Sequence, residues 1–467
     1  MERLPGIDAS FLYMETPAAH THTIKVAVVE PATDAPYSLE RVRNDLAARL
    51  HLLPPFRRRL VEVPWGLHHP LWIEDPTFDL SHHVRETIAP APGGPRELDA
   101  VVSAIASEPL DRRRPLWELW MVRGLVDDRL AAVAKIHHAV ADGVAVAALL
   151  ANVLQPGAEA LAPCVRDDGW RPELVPSPAA LVRDAVVDRM RQTARLPPLV
   201  ARTVRNLRGV TQLRRTTAVP PPRPVLDAPR TSLNGALTAR RAFASTALPL
   251  ADVRAMKAAH GATINDVLLS LVGGAVCRYL AARGEHPDRP LVAEVPVATD
   301  PPGARRIAGN RLSNIFTSLC TDVADPVARL RAVHDAMATA KRLHETLGPD
   351  LYEAWTEFVP PRPFSWAVRT YSRWRLADRH RPPINVIVSC VPGPRVRLGW
   401  SGGTLEALYS VGPIIEGAAL NVTAWSYADR LCVGVLSCPD LLPDPHVVSE
   451  GLHAELEALM AATPPTG

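Results

Sequence analysis

The sequence predicts an α/β protein of two domains, and three observations carry that prediction. With 467 residues the chain exceeds what one hydrophobic core usually holds, so two cores are expected. From Met1 to about Leu154 short strand-like runs alternate with helical ones, and a second such series begins near Ser245 and continues to the end. Between them the composition changes, which marks a connector. The plan is therefore a domain at 1–154, a connector at 155–230 and a second domain at 231–467.

The elements follow from local pattern. Ile24 to Glu30 and Leu130 to Ile136 read as strands, while Leu39 to Leu50, Leu98 to Ser107 and Val144 to Leu154 carry helical spacing. In the second series Thr263 to Arg283 reads as a buried helix. Ile384 to Ser389 reads as a strand with a uniformly apolar middle. The connector has Pro-rich edges at 172–178 and 219–229, with helical stretches at 179–195 and 198–215. From 177 to 224 it holds ten Arg against Asp184 and Asp188, a local balance of +8. Such a run is either a solvated linker or, with Leu, Val and Met between the arginines, a segment that lies on a membrane surface.

Composition excludes several classes. The chain is 47% hydrophobic and 22% charged, so it is not a disordered protein. A formal net charge of +3 is too small at this size to argue for a nucleic-acid partner. Cysteines at 164, 277, 320, 390, 432 and 438 form no C-x-x-C pair and no zinc-site spacing, which fits reduced thiols in the cytoplasm and no metal. Met1 to Leu12 carries Glu2 and Asp8 and lacks a signal-like apolar stretch. The runs Val144 to Leu154 and Val267 to Val276 are too short to span a bilayer.

The strongest local signal is His137-His138-Ala139-Val140-Ala141-Asp142-Gly143, a turn between an expected strand and an expected helix. Adjacent histidines at a strand end point to opposite faces, so they do not converge on one metal ion. One imidazole can accept a proton from an alcohol and later deliver it to a leaving thiolate. His137 and His138 are thus both catalytic candidates, one of the two imidazoles serving as general base. Asp142 would turn inward to fix the loop, and Gly143 would allow a backbone angle or close approach that other residues resist. A rival motif is Gly399-Trp400-Ser401-Gly402-Gly403, followed by Asp429 and His446 in the chain order of an α/β-hydrolase. That elbow needs a helix after the serine, whereas the residues that follow Ser401 read as a turn into a strand.

His-His-x-x-x-Asp-Gly resembles the motif of the coenzyme A-dependent acyltransferase superfamily, and the rest of the chain resembles the bacterial wax ester synthase/acyl-CoA:diacylglycerol acyltransferase family. The segments that carry this likeness are Asp8 to Leu12 with Glu15-Thr16-Pro17, Pro55 to Leu60, Phe78-Asp79-Leu80 and His83-Val84-Arg85. Further on come Pro109 to Arg112, Pro115-Leu116-Trp117-Glu118, Asn265-Asp266, Gly309 to Ser313, Val391 to Pro394 and Gly412 to Gly417. The resemblance implies two chloramphenicol acetyltransferase-like domains with mixed sheets and an active-site channel at their interface. It implies acyl-CoA as co-substrate, no cofactor, and a lipid alcohol as acceptor, diacylglycerol or alternatively a long-chain fatty alcohol. It implies direct transfer with no acyl-enzyme and His138 as the general base; the basic connector, taken with lipid substrates, suggests peripheral contact with a membrane or lipid droplet. Asn265 and Asn310 become candidates for substrate or oxyanion contact, Asn265 being also readable as a helix cap. Pro115, Trp117, Glu118 and Asp266 become structural motif residues. Two departures stand out: Asp300 where the family has Arg in V-P-V-S-x-R, and Cys390 where it has Asn in S-N-V-P-G-P. Their loss suggests a lipid-binding member without turnover, which the intact His138, Asp142 and Gly143 oppose.

Overall fold

The computed structural model describes residues 1–31, 37–156, 169–217, 220–223, 227–301, 305–401 and 403–464. Cys164, Gly402 and part of the 219–229 Pro-rich edge lie outside them. The first part runs β1 (Glu2–Arg3), α1 (Gly6–Met14), β2 (His22–Glu30), α2 (Leu39–Ala47), β3 (Arg58–Val61), β4 (Leu71–Glu74), β5 (Val84–Ile88), α3 (Pro95–Ser107), β6 (Trp117–Arg123), β7 (Leu130–His137), α4 (Gly143–Ala151) and β8 (Gln155–Pro156). The connector forms α5 (Pro178–Thr193) and α6 (Leu196–Thr216). Then come β9 (Ala242–Pro249), α7 (Leu250–Ala259), α8 (Ile264–Ala282), β10 (Val292–Ala298), β11 (Leu312–Ser318), α9 (Pro326–Leu347), α10 (Leu351–Thr356) and α11 (Pro361–Arg373). The chain closes with β12 (Val386–Val391), β13 (Leu398–Trp400), β14 (Gly403–Val411), β15 (Leu420–Tyr427), β16 (Arg430–Ser437) and α12 (His446–Ala462).

Helix starts obey their caps. Thr263 accepts from the Asp266 amide while Asp266 bonds back to the Thr263 amide, a reciprocal capping box at α8. Asn265 is therefore not the cap. The α8 helix is apolar on nearly every face because it is enclosed, with Val267 to Val276 buried. By length and composition it could cross a membrane, but here it is the core helix beneath the second sheet.

Two mixed sheets carry the fold. A seven-stranded sheet has the order β5-β6-β7-β2-β14-β13-β8, and a six-stranded sheet the order β11-β10-β12-β15-β16-β9. The β13 and β14 strands thus complete the first sheet although they come from beyond residue 231. The chain-order division at 154 and 231 does not hold in space for this excursion, because β14 pairs antiparallel with β2 along its length. A small sheet β1-β4-β3 flanks the first.

Alternation places Ile24 and Val26 of β2 on the face covered by α3, and Lys25 and Ala27 on the face that lines a cavity beside α4. The second core lies under α8, α9 and α12. Neither sheet is independent of the other. Trp425, Tyr427 and Cys432 of the second sheet join the core of the first, and Phe243 and Leu436 join the α3 cluster. They approach closely at Gly434, where a Cβ would stand 2.5 Å from the Ser410 carbonyl oxygen and 3.1 Å from Phe243 Cε2. Backbone cannot yield there as a side-chain tip would. Gly434→Ala is expected to lower unfolding stability by about 1–3 kcal/mol; a thermal melt equal to wild type would show that the sheets do not press together at this point.

Candidate active site

The site is built at the end of β7. That strand pairs with β2 in a register that sets His137 opposite His22, and the turn into α4 begins at the next residue. His137 points inward and is fully buried. Its Nδ1 accepts from the Ala139 amide at 3.0 Å, so Nε2 carries the proton and donates to Thr21 Oγ1 at 2.9 Å. The Thr21 hydroxyl in turn donates to the Phe11 carbonyl at 3.0 Å. Both ring nitrogens are therefore committed to holding the turn.

His138 points the other way and lies flat on Phe11, with ring centroids 4.1 Å apart. Its Nδ1 is 2.9 Å from Asn310 Oδ1. The Asn310 amide nitrogen lies 2.8 Å from the His138 carbonyl oxygen and 2.8 Å from Asp8 Oδ1. A carbonyl oxygen can only accept, so this network fixes which way the amide faces. Asn310 Oδ1 must then accept from Nδ1–H of His138. The consequence is an unprotonated Nε2. Burial pushes the His138 imidazole down to about 4, against the opposing pull of Asp142 and Asn310, so the ring is neutral at pH 7. Burial likewise pushes the Asp8 carboxyl up to about 8, opposed by its hydrogen bonds from Asn310.

Asp142 secures the other end of the turn. Its Oδ1 caps α4 by accepting from the Ala145 amide at 2.9 Å. Its Oδ2 accepts from the Arg311 amide at 3.0 Å and from Arg306 Nη2 at 2.6 Å. Arg306 also forks onto Asp300, with both contacts at 3.0 Å. The departure at 300 thus supplies a carboxylate that steadies the arginine clamping Asp142. Backbone bonds from Gly309 N to Val140 O at 2.7 Å and from Asp142 N to Gly309 O at 3.2 Å join the two segments. Gly309 has φ 71, and a Cβ there would stand 2.9 Å from Asp8 Oδ2, so this position demands glycine.

Other expected residues fall differently. Gly143 has no left-handed angle, and a Cβ on it would meet only Val391 Cγ2 at an ordinary 3.5 Å. The expected backbone need is therefore absent; the position faces β12 across a gap. Asn265 and Asp266 sit at the start of α8, where Asp266 bonds His334 Nδ1 at 2.9 Å, and the hydrogen bonds around His138 include neither. Asn310 is in the site, but both its amide hydrogens are engaged, so it orients His138 and does not offer an oxyanion donor.

The Pro115 to Glu118 block braces β6. Trp117 stacks on Phe56 and His83, and Glu118 pairs with Lys135 at 3.0 Å. Ser401 donates to Asp45 Oδ2 at 2.5 Å and follows β13 with β14 after it. His446 instead bonds Asp99 and Asp444. Among the described residues Ser401, Asp429 and His446 form no hydrogen-bonded triad. Cys390, partly buried, packs against the second core, where burial pushes its thiol up to about 11. Among the described residues no cluster of His, Cys, Asp or Glu is placed to hold a metal. Sequence reading assigned no role to Asp8, Phe11 or Arg306; the first two lie in the opening Asp8 to Leu12 block.

A cavity of about 90 Å³ opens between the first sheet and α4, bounded by Lys25, Ala27, Ala132, Ala134, Leu149 and Leu150. The three alanines on adjacent strands are what leave the space.

Two mixed sheets meeting at a histidine-bearing turn define the class of two-domain acyltransferases and condensation domains. The first condensation domain of the CDA synthetase covers 99% of this chain and 97% of its own with a TM-score of 0.58, a likeness of fold alone at 16% identity. The chain belongs to the wax ester synthase/diacylglycerol acyltransferase family. The model of that family's catalytic domain matches residues 4–268 and the model of its C-terminal domain residues 308–460. A solved wax ester synthase/diacylglycerol acyltransferase from Marinobacter aquaeolei VT8 is 28% identical, covers 99% of this chain and 100% of its own, and superposes with a TM-score of 0.69. A Mycobacterium tuberculosis (strain ATCC 25618 / H37Rv) protein named "Putative diacyglycerol O-acyltransferase" is 40% identical over 460 residues, 97% of this chain and 95% of the relative. A second from that strain, named likewise, is 38% identical over 472 residues, covering 99% and 98%. The protein is an acyl-CoA acyltransferase of this family.

Removing Arg306 leaves two largely buried carboxylates, Asp142 and Asp300, facing each other. Arg306→Ala is therefore expected to cost roughly 3 kcal/mol or more in unfolding free energy, and Arg306→Ala with Asp300→Ala to recover part of it. Additive losses in denaturant titrations of the two variants would contradict the clamp.

Proposed function

We propose that the enzyme transfers a long-chain acyl group from acyl-CoA to the free hydroxyl of diacylglycerol, giving triacylglycerol and free coenzyme A. The observation that carries the reading is the lone pair on His138 Nε2, left by the Asn310 amide on a ring that is neutral at pH 7. As the acceptor oxygen attacks the thioester carbonyl, its proton passes to Nε2. The C–S bond breaks when the tetrahedral intermediate collapses, and the proton moves on to the thiolate. One C–O bond forms and one C–S bond is lost, so the balance needs no cofactor. Direct transfer is supported by the state of the alternative nucleophiles, because Cys390 packs against the second core and Ser401 is bonded to Asp45.

The cavity beside α4, apolar apart from Lys25, is of a size to take part of an acyl chain. Diacylglycerol is favoured over a fatty alcohol because the relatives at 38–40% identity carry the diacylglycerol name. Such a substrate lives in a lipid phase, so the enzyme works as a peripheral protein at a lipid surface facing the cytoplasm. The five described cysteines are free thiols, which suits a reducing compartment.

Four measurements check this. His138→Ala is expected to lower kcat about a hundredfold or more with unchanged unfolding, measured by thiol release from palmitoyl-CoA with diolein and with hexadecanol. His137→Ala should act through stability. Because the His138 pKa is depressed, the base is already unprotonated at pH 7; kcat/KM should stay flat down to about pH 5 and fall only toward about 4. An inflection near the ordinary histidine value of about 6.5 would contradict the buried ring. Ala134→Phe should fill the cavity and depress turnover of palmitoyl-CoA while butyryl-CoA survives; equal loss for both would remove the cavity from the acyl path.

A further inference from the structure

Tryptophan is rarely left in water, because its large ring gains from burial. Yet Trp65, Trp366 and Trp374 are 65%, 70% and 60% exposed, and they gather on one side of the molecule. Trp366 lies on α11 and Trp374 caps its end. Trp65 belongs to the loop that packs on α11, where a Cβ on Gly66 would stand 2.7 Å from Arg362 Cγ. Trp65 itself is held at φ 55, a conformation a bulky side chain resists. Next to it Leu67 accepts from Arg189 of α5 at 3.3 Å, and α5 adds Met190 at 70% exposure. The patch is thus continuous from α5 through the Trp65 loop to α11.

Its charge has one sign along α11. Between Glu357 and Asp378 the chain holds Arg362, Arg369, Arg373 and Arg375 and no acidic residue. Arg362, Trp366, Arg369 and Arg373 follow one another at spacings of four, three and four, which is one face of a helix, and all are exposed. Among the described residues Arg362, Arg369 and Arg373 make no ion pair. The opposite face carries Pro361, which is buried, and Phe364, which packs against the first core. This helix also packs on α1, the helix whose Phe11 supports His138.

We infer that the α11 face, with Trp65 and Met190 beside it, docks the enzyme on an anionic lipid surface. Indole rings settle at the interface between headgroup and acyl chain, and unpaired arginines gain from a negative surface potential. The inference rests on the reading of the acceptor as a lipid, since that gives docking its purpose: only α1 lies between the surface helix and His138. It differs from a docking role for the connector arginines. Of those, Arg202 already pairs with Asp350 at 2.7 Å.

The test uses the full chain and vesicles of phosphatidylcholine with or without phosphatidylglycerol, with no substrate present. Wild type should co-sediment more with the anionic vesicles and show a blue shift of tryptophan emission. Trp366→Ala with Trp374→Ala should reduce binding roughly tenfold or more on anionic vesicles, while transfer to a short soluble alcohol without vesicles persists. Arg369→Glu with Arg373→Glu should abolish only the preference for phosphatidylglycerol. The inference is overturned if the tryptophan pair binds as wild type, or if binding is instead lost on Arg205→Glu with Arg208→Glu in α6. It is equally overturned if the tryptophan pair only converts a dimer to a monomer in analytical ultracentrifugation. Loss of acyl transfer by His138→Ala is read separately, so failure of docking and failure of the proposed chemistry are distinguishable.

Discussion

One seam holds the site together. Residues 306–311, from the second half of the chain, lie against the turn 138–142 from the first. A short parallel bridge joins Ala141 to Gly309, flanked by the Asn310 contact to His138 on one side and the Arg306 contact to Asp142 on the other. Each end of the turn is thereby fixed by the opposite half. A histidine held by its own strand alone would retain rotamer and tautomer freedom; across this seam it keeps neither. Separation of the halves would cost the site its geometry before any substrate contact changed.

The same seam explains why two adjacent histidines do different work. Strand alternation sends them to opposite sides, and their hydrogen-bond partners then set opposite tautomers. His137 spends both nitrogens inside the fold. His138 spends one on Asn310 and keeps the other. Burial holds both rings neutral, which for His137 protects the turn from charge and for His138 preserves a lone pair at neutral pH.

Much of this was legible in the residues, and the limits have physical causes. Strand and helix periodicity located β2, β7 and α8 to within a residue or two, because these elements bury clear apolar faces. The His-His-x-x-x-Asp-Gly spacing located the turn. What periodicity could not reveal was the return of β13 and β14 into the first sheet, since pairing partners far apart in sequence leave no local signal. Nor could it choose between Asn265 and Asn310, which are equally polar on paper; only the fold brings Asn310 to His138 and leaves Asn265 in the first turn of the core helix α8. Asp300 looked like a loss because an arginine was missing, whereas Arg306 places its guanidinium between Asp142 and Asp300. The arginine count drew attention to the connector, while α11, with fewer arginines and no acid among them, carries the exposed tryptophans.

The account turns on the protonation of two neighbouring rings, which histidine-selective ¹⁵N NMR of the intact enzyme at pH 7 reads directly. Assigned through His137→Gln and Asn310→Leu, the spectra should show two neutral imidazoles of opposite kind, His137 protonated at Nε2 and His138 at Nδ1, with the His138 signature lost when Asn310 is removed. An imidazolium at His138, or a proton on its Nε2, would leave no lone pair facing the acceptor and would contradict the assignment of His138 as the base.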